Sequence, residues 1–296
     1  MEKQRFGELF NRAWARGREW RLSGFLLLES LFAFVAALPF MAALVGLVLW
    51  VDWPKKGADP ACGVPAFFGQ LLVLLTAGLA AWLIYMWIVQ MLVIGLKRET
   101  LYPATEIGRG LRSGFARWLT VLYPLPLSIG IGLLAMARSA LNQLAPVAML
   151  LGAGGGLWLL QVAVSLYMDF LFFGIAAGSP QLGFGELYRR AFVAFKNGWG
   201  RMLLWALCLT GLIGASILSA VPATVGVVIG LRHDNPTALT GGIVGLSCWA
   251  LVMIAVWIRA NVVSNAFGMY LYLDASGTPA ELDAPEPPAP QPSIGE

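Results

Sequence analysis

The chain has 296 residues, 58% of them hydrophobic and 12% charged, with a formal net charge of +4 and a mean hydropathy of +0.74. Soluble domains carry about 25% charged residues, so this composition excludes an ordinary water-soluble fold and points to lipid as the solvent. Three cysteines, Cys62 in an expected loop and Cys208 and Cys248 in apolar runs, have neither metal-ligand spacing nor a disulfide framework.

A helix needs about 20 apolar residues to cross ~30 Å of hydrocarbon. Residues 24–51, 67–96, 119–136, 145–177, 202–231 and 239–273 approach or exceed that length, without the two-residue alternation of a barrel strand. The expectation is an all-α, polytopic membrane protein with about six transmembrane helices.

The N-terminal segment is basic, with Lys3, Arg5, Arg12, Arg16, Arg18 and Arg21, and too polar for a cleaved signal peptide. The first apolar run therefore reads as an anchor that is retained. Within that segment Phe6, Leu9, Phe10, Ala13, Trp14, Gly17 and Trp20 recur at three- and four-residue steps. Such a stripe backed by bases describes a helix lying in the membrane interface, its apolar face in the acyl boundary.

After the second apolar run come Lys97, Arg98, Arg109, Arg112 and Arg117, with a weaker stripe of Ile107, Leu111, Phe115 and Trp118. After the fourth come Arg189, Arg190, Lys196 and Arg201, with a stripe of Phe184, Leu187, Tyr188, Ala191, Phe192, Phe195 and Trp199. The opposite side has Lys55, Lys56, Arg138 and Arg232, and Arg259 falls inside the last apolar run. Basic residues accumulate on the cytoplasmic face, so both termini are expected there and the span number is even. Arg12, Arg16, Arg109, Arg112, Arg189, Arg190 and Lys196 are the expected interfacial anchors, with the lipid bilayer, anionic lipid included, as partner.

Gly7-Glu8-Leu9-Phe10-Asn11-Arg12-Ala13-Trp14 and Gly185-Glu186-Leu187-Tyr188-Arg189-Arg190-Ala191-Phe192 match nearly position for position. The chain thus reads as three repeated units of interfacial amphipathic helix plus transmembrane hairpin, spanning about 1–98, 99–180 and 181–274 of one membrane domain. Pro39, Pro124, Pro126 and Pro222 are expected to kink the first span of each unit. Gly152 with Gly156, and Gly241 with Gly245, have the small-xxx-small spacing that lets helices approach closely. From Ala275 the sequence turns to Pro and Ala with Glu281, Asp283, Glu286 and Glu296, so 275–296 is expected to be a disordered acidic cytoplasmic tail.

The opening Phe6-Gly7-Glu8-Leu9-Phe10-Asn11-Arg12-Ala13-Trp14, the third unit's Arg189-Arg190-Ala191-Phe192 with Trp199, and the closing Tyr270-Leu271-Tyr272-Leu273-Asp274 carry a resemblance. They resemble the bacterial membrane domain found beside some glycerophosphodiester phosphodiesterases, which also occurs in stand-alone polytopic proteins. Members of that group often have bases after the closing stretch, where this chain has Ala275-Ser276-Gly277. A catalytic barrel needs about 250 residues, more than the polar remainder here provides. The resemblance implies a membrane architecture, a bacterial cytoplasmic (inner) membrane and a lipid-related context, without an activity.

The candidate chemistry is sparse. His233, the sole histidine, precedes Asp234 in a short outer turn, where solvation is the expected state and a general base the alternative. No serine has a histidine partner on a plausible shared face, and one histidine does not make a multi-histidine metal site. Catalytic, cofactor-binding and metal-binding residues are accordingly none, and nucleic acid is not an expected partner.

Ionised groups in the bilayer cost about 2.5–3.5 kcal/mol on insertion scales, so Glu29, Gln90, Gln161, Asp169, Arg259 and Asn261, with Asn265, form an expected intramembrane polar layer. Asp169 and Arg259 are expected to pair, with Glu29 as the alternative partner for Arg259. The plainer reading is that such a pair ties the repeats together, or that Arg259 and Glu29 snorkel to the interface. The expected function is a non-enzymatic membrane protein that organises or assists envelope or lipid processes, in contact with a membrane partner or a second copy. A small transporter with a polar path is the alternative.

Overall fold

The structure, a computed structural model, describes residues 5–50, 60–144 and 153–280. Lys3, Lys55, Lys56, Gly152 and the acidic residues expected in the tail lie outside them. Among the described residues there is no strand. The helices are α1 (Phe6–Arg16), α2 (Trp20–Trp50), α3 (Pro60–Glu99), α4 (Ile107–Ala116), α5 (Leu125–Leu144), α6 (Ala153–Ala177), α7 (Phe184–Ser219), α8 (Val221–Arg232) and α9 (Pro236–Ser276), with a 3₁₀ turn at Thr120–Leu122. Among the described residues four segments are long and apolar enough to cross a membrane: Thr120–Ser139, Gly155–Ala177, Phe184–Arg232 and Pro236–Ser276. Helices α2 and α3 have 31 and 40 residues.

Local sequence explains several boundaries. The Asn235 side chain accepts from the Ala238 amide at 3.1 Å, and Pro236 occupies the first turn, so Asn-Pro starts α9. Gly277, at φ 67°, ends it in the left-handed region with its amide on the Leu273 carbonyl. That end lies two residues later than the tail boundary expected at Ala275: Ala275 is buried, and its carbonyl accepts from Asn197. Cys62 stands in the first turn of α3, so the loop expected around it is helical.

The prolines act in three ways. Helix α2 runs unbroken through Pro39. Pro124 sits in the gap between the 3₁₀ turn and α5, a break where a kink was expected, and Pro126 falls in the first turn of α5. Pro222 falls in the first turn of α8, just after the joint at Ala220, which keeps helical dihedrals, so α8 follows directly on α7.

The three basic amphipathic stretches are not three equal units. The first two form short helices of their own, α1 and α4, but the third is the opening of α7 and continues without interruption into the apolar run. Their stripes also divide differently from expectation. Leu9, Ala13 and Gly17 of α1, and Leu187, Ala191, Ala194 and Gly198 of α7, are buried against protein. In α4 the buried face is Gly110, Ser113 and Gly114. Small residues on those faces let the helices settle onto the bundle, while Trp14, Phe115, Trp118, Phe184, Phe192 and Trp199 remain exposed. The aromatic side chains of the stripes divide: Phe6, Phe10, Tyr188 and Phe195 pack against the core, whereas the others look outward.

Helix α9 packs against α1, α2, α3, α6, α7 and α8. The main core gathers where the C-terminal ends of α3, α6 and α9 and the N-terminal end of α7 meet α1, around Phe170, Phe173, Leu187, Trp205, Phe267 and Tyr272. Trp205 stacks on Phe267 at 5.1 Å, and Phe6 reaches the same ring at 5.3 Å. Toward the opposite end, α8 and α9 form an antiparallel pair joined by an exposed turn in which Asp234 takes φ 46°. Gly226 and Gly230 of α8 face Gly242 and Leu239 of α9 so closely that a Cβ on Gly226 would lie 3.3 Å from the Gly242 Cα. The contact glycines of α9 are thus Gly242 and Gly245, whereas Gly241, expected in that role, faces open space, as does Gly156.

Candidate functional site

The charged and polar residues fall into two groups. The deeper one centres on Lys97, near the end of α3. Its ammonium donates to Asn265 Oδ1 of α9 at 2.7 Å and lies 4.6 Å from the centre of the Phe173 ring of α6. Asp169 of α6, one turn before Phe173, and Glu29 of α2 are the carboxylates that interact electrostatically with it. Four helices therefore converge on one cation. Among the described residues the Glu29 Oε2 is buried without a hydrogen-bond partner.

The expected partner of Asp169, Arg259, is elsewhere. It is exposed on α9 and its guanidinium lies 5.3 Å from the centre of the Trp14 ring on α1. The pairing of Asp169 or Glu29 with Arg259 is thus replaced by their shared interaction with Lys97. The cause is helical phase: Asn265 and Arg259 are six residues apart on α9, which puts them on different faces. Asn261 turns back to donate to the Trp257 carbonyl at 2.9 Å.

The rest of the expected polar layer is also dispersed. Gln90 lines an apolar cavity of about 310 Å³ between α3, α5 and α6. Gln161 and Asp169 line a second cavity of about 240 Å³ beside Arg138 of α5. Asn261 lines a third of about 170 Å³ between α7 and α9. The three cavities have separate walls, and none of them is lined by Lys97, Glu29, Asn265 or Arg259.

The second group is a knot of arginines at the C-terminal ends of α3 and α6. Arg98 is fully buried and donates to the Ala176 carbonyl at 2.7 Å. Arg117, equally buried, donates to Ile175 at 3.0 Å, Gly178 at 2.8 Å and Ser113 at 2.7 Å. The last carbonyls of a helix lack intrahelical donors and carry the negative end of its dipole, so two guanidiniums satisfy the end of α6.

Arg16 does the same for α3, donating to the Glu99, Thr100 and Pro103 carbonyls at 2.9, 3.2 and 3.2 Å and to Thr105 Oγ1 at 3.1 Å. It is paired with Glu19, whose carboxylate accepts from the Thr105 amide at 2.9 Å. Glu99, with no exposed surface, accepts both forks of Arg109 at 3.0 and 2.9 Å and the Glu106 amide at 3.0 Å. Burial pushes the Arg16 guanidinium below its ordinary value, while the Glu99 hydrogen bonds push Arg109 above its own.

The expected interfacial anchors therefore have several fates. Arg16 and Arg109 are tied into the knot. Arg12 lies over the Tyr270 ring at 4.6 Å, and Arg189 and Arg190 bind Glu186 at 2.8 and 2.6 Å. Arg112 and Lys196 are exposed. Arg201, on the next turn of α7, pairs with Asp274 at 2.6 Å.

In the sequence Lys97, Arg98 and Arg117 read only as bases that set the topology, and Glu99 carries no reading of its own. The available signal was three consecutive ionisable residues closing an apolar run, which reads equally as topology. Among the described residues no group of three His, Cys, Asp or Glu converges, and His233 and Asp234 are both exposed. No family model matches this sequence, and no curated protein or solved structure matches it either.

Proposed function

We propose that this chain is a non-enzymatic integral membrane protein that organises or assists envelope or lipid processes through its bundle and partner contacts. In this reading α2 and α3 join the four apolar segments to make six spans, arranged as three hairpins with the basic ends cytoplasmic. The membrane would be the bacterial cytoplasmic membrane, in keeping with the resemblance carried by the Phe6–Trp14 segment.

One observation carries the reading: among the described residues Lys97 and the buried arginines hold helices together, and the three cavities lined by polar side chains have separate walls. Lys97 joins α3 to α9, the arginine knot closes the ends of α3 and α6, and Gln90, Gln161 and Asn261 line separate cavities. A transporter is the second reading, favoured by the cavity where Gln161 and Asp169 face Arg138.

The test is isolation of the full chain from its native membrane in polymer-bounded nanodiscs, with quantification of bound lipid and polypeptide. Stoichiometric lipid or polypeptide, together with proteoliposomes no leakier to protons and ions than bare vesicles, is the expected result. A protein-dependent flux abolished by Asp169→Asn would overturn the scaffold in favour of the path.

A further inference from the structure

The cavity of about 310 Å³ is walled almost wholly by apolar side chains. It lies between α3, α5 and α6, and its α5 and α6 walls belong to segments apolar enough to cross a membrane. Its polarity is graded. Gln90 and Trp118 mark one end, beside the basic α4, whereas Ile84 of α3 and Ser128 of α5 lie farther along their helices in the other direction. Ser128 is already bonded to the Pro124 carbonyl at 3.1 Å. The Gln90 amide has no hydrogen bond among the described residues, although it is half-buried in an apolar wall.

Trp87, one turn from Gln90 on α3, borders this part of the groove and donates to the Trp118 carbonyl at 2.8 Å. Trp residues concentrate at the level of lipid head groups, which places this end there. On α4, just before Trp118, the Arg109 guanidinium is held by Glu99, but Arg112 is exposed.

We infer that this groove holds one acyl chain of an anionic glycerophospholipid. The chain lies along Ile84 and Leu125, an ester carbonyl accepts from the Gln90 amide, and the phosphate faces Arg112. The inference rests on the membrane placement proposed above, but not on the scaffold role. The lining selects the occupant: a second protein helix would not need an unpartnered amide in an apolar wall with an exposed base on the neighbouring α4, whereas a phospholipid brings both an acceptor and an anion. Each basic side chain near an anionic head group contributes about 1 kcal/mol.

The full chain in phosphatidylcholine nanodiscs, doped with a diazirine-tailed probe carrying either a phosphatidylglycerol or a phosphatidylcholine head group, tests this. Crosslinks should concentrate on residues 83–90 and 122–128. Ile84→Trp and Leu125→Trp, both at exposed positions, should each reduce them. Arg112→Gln should lower the phosphatidylglycerol-to-phosphatidylcholine ratio about fivefold, the equivalent of roughly 1 kcal/mol.

Crosslinks spread evenly over the outer faces of α7 and α9, the signature of annular lipid only, would overturn the inference. So would crosslinking in native membranes that traps a polypeptide in the groove in place of lipid. A flux abolished by Asp169→Asn would remove the scaffold role and leave this result standing, so the two failures are distinguishable.

Discussion

Lys97 of α3 donates to Asn265 of α9 at 2.7 Å, joining helices 168 residues apart in sequence at the point where Glu29 and Asp169 also direct their charge. A hydrogen bond to a charged group contributes about 1.5–3 kcal/mol when the partner cannot be replaced by water. Asn265→Leu should therefore destabilise the bundle by about 2 kcal/mol, measured by unfolding in mixed micelles. Adding Lys97→Met should recover part of that loss, because the second change removes the unpaired ammonium.

Arg259 stands over Trp14, away from Asp169. A double-mutant cycle between Asp169→Asn and Arg259→Gln should give a coupling within about 0.5 kcal/mol of zero. The cycle between Arg259→Gln and Trp14→Leu should give about 0.5–1 kcal/mol, the worth of an exposed cation–π contact. A large first coupling with a negligible second one would return Arg259 to the polar layer.

Arg117 supplies three hydrogen bonds to carbonyls from a fully buried position. Arg117→Met would leave the end of α6 short of donors, at about 1–3 kcal/mol for each buried acceptor left unsatisfied. Arg117→Lys should rescue little, since one ammonium cannot reproduce the planar fork. Thermal unfolding in detergent is the measurement, and Arg112→Met, at an exposed position of the preceding α4, is the control expected to change little.

The α8–α9 contact makes a paired prediction. Gly242→Ala places a methyl against the Val227 amide and should cost about 1–3 kcal/mol through overpacking. Gly241→Ala faces open space and should be neutral or stabilising by up to about 1 kcal/mol. The two differ by a single residue, so propensity is held constant while packing changes.

These residues also show what the sequence could and could not convey. Apolar length marks helices directly, because a helix satisfies its own backbone and the 24–51 and 239–273 runs have few alternatives. Composition also marks Glu29 and Asp169 as notable, because a carboxylate in an apolar run is costly wherever its partner lies.

What composition does not encode is rotational phase between helices. Arg259 and Lys97 are both bases in or beside an apolar run, and the one that faces Asp169 is decided by the face of α9 that packs inward. Phase likewise separates Gly241 from Gly242. The interfacial stripes were legible as amphipathic, but an apolar stripe packs equally well on lipid or on protein. The small residues within it, Ala13, Gly110, Gly114 and Ala191, mark the face that protein covers.

Water access to the Lys97 cluster tests the central claim most directly. In a chain with Cys62, Cys208 and Cys248 replaced by Ser, a cysteine is placed at Asn265 or Asp169 and treated with a membrane-impermeant maleimide from each side of sealed vesicles. A bundle whose charges serve to bind helices should leave both positions unlabelled until detergent unfolds it. Rapid labelling of both from water, slowed by a solute, would reveal a hydrated passage and contradict the scaffold.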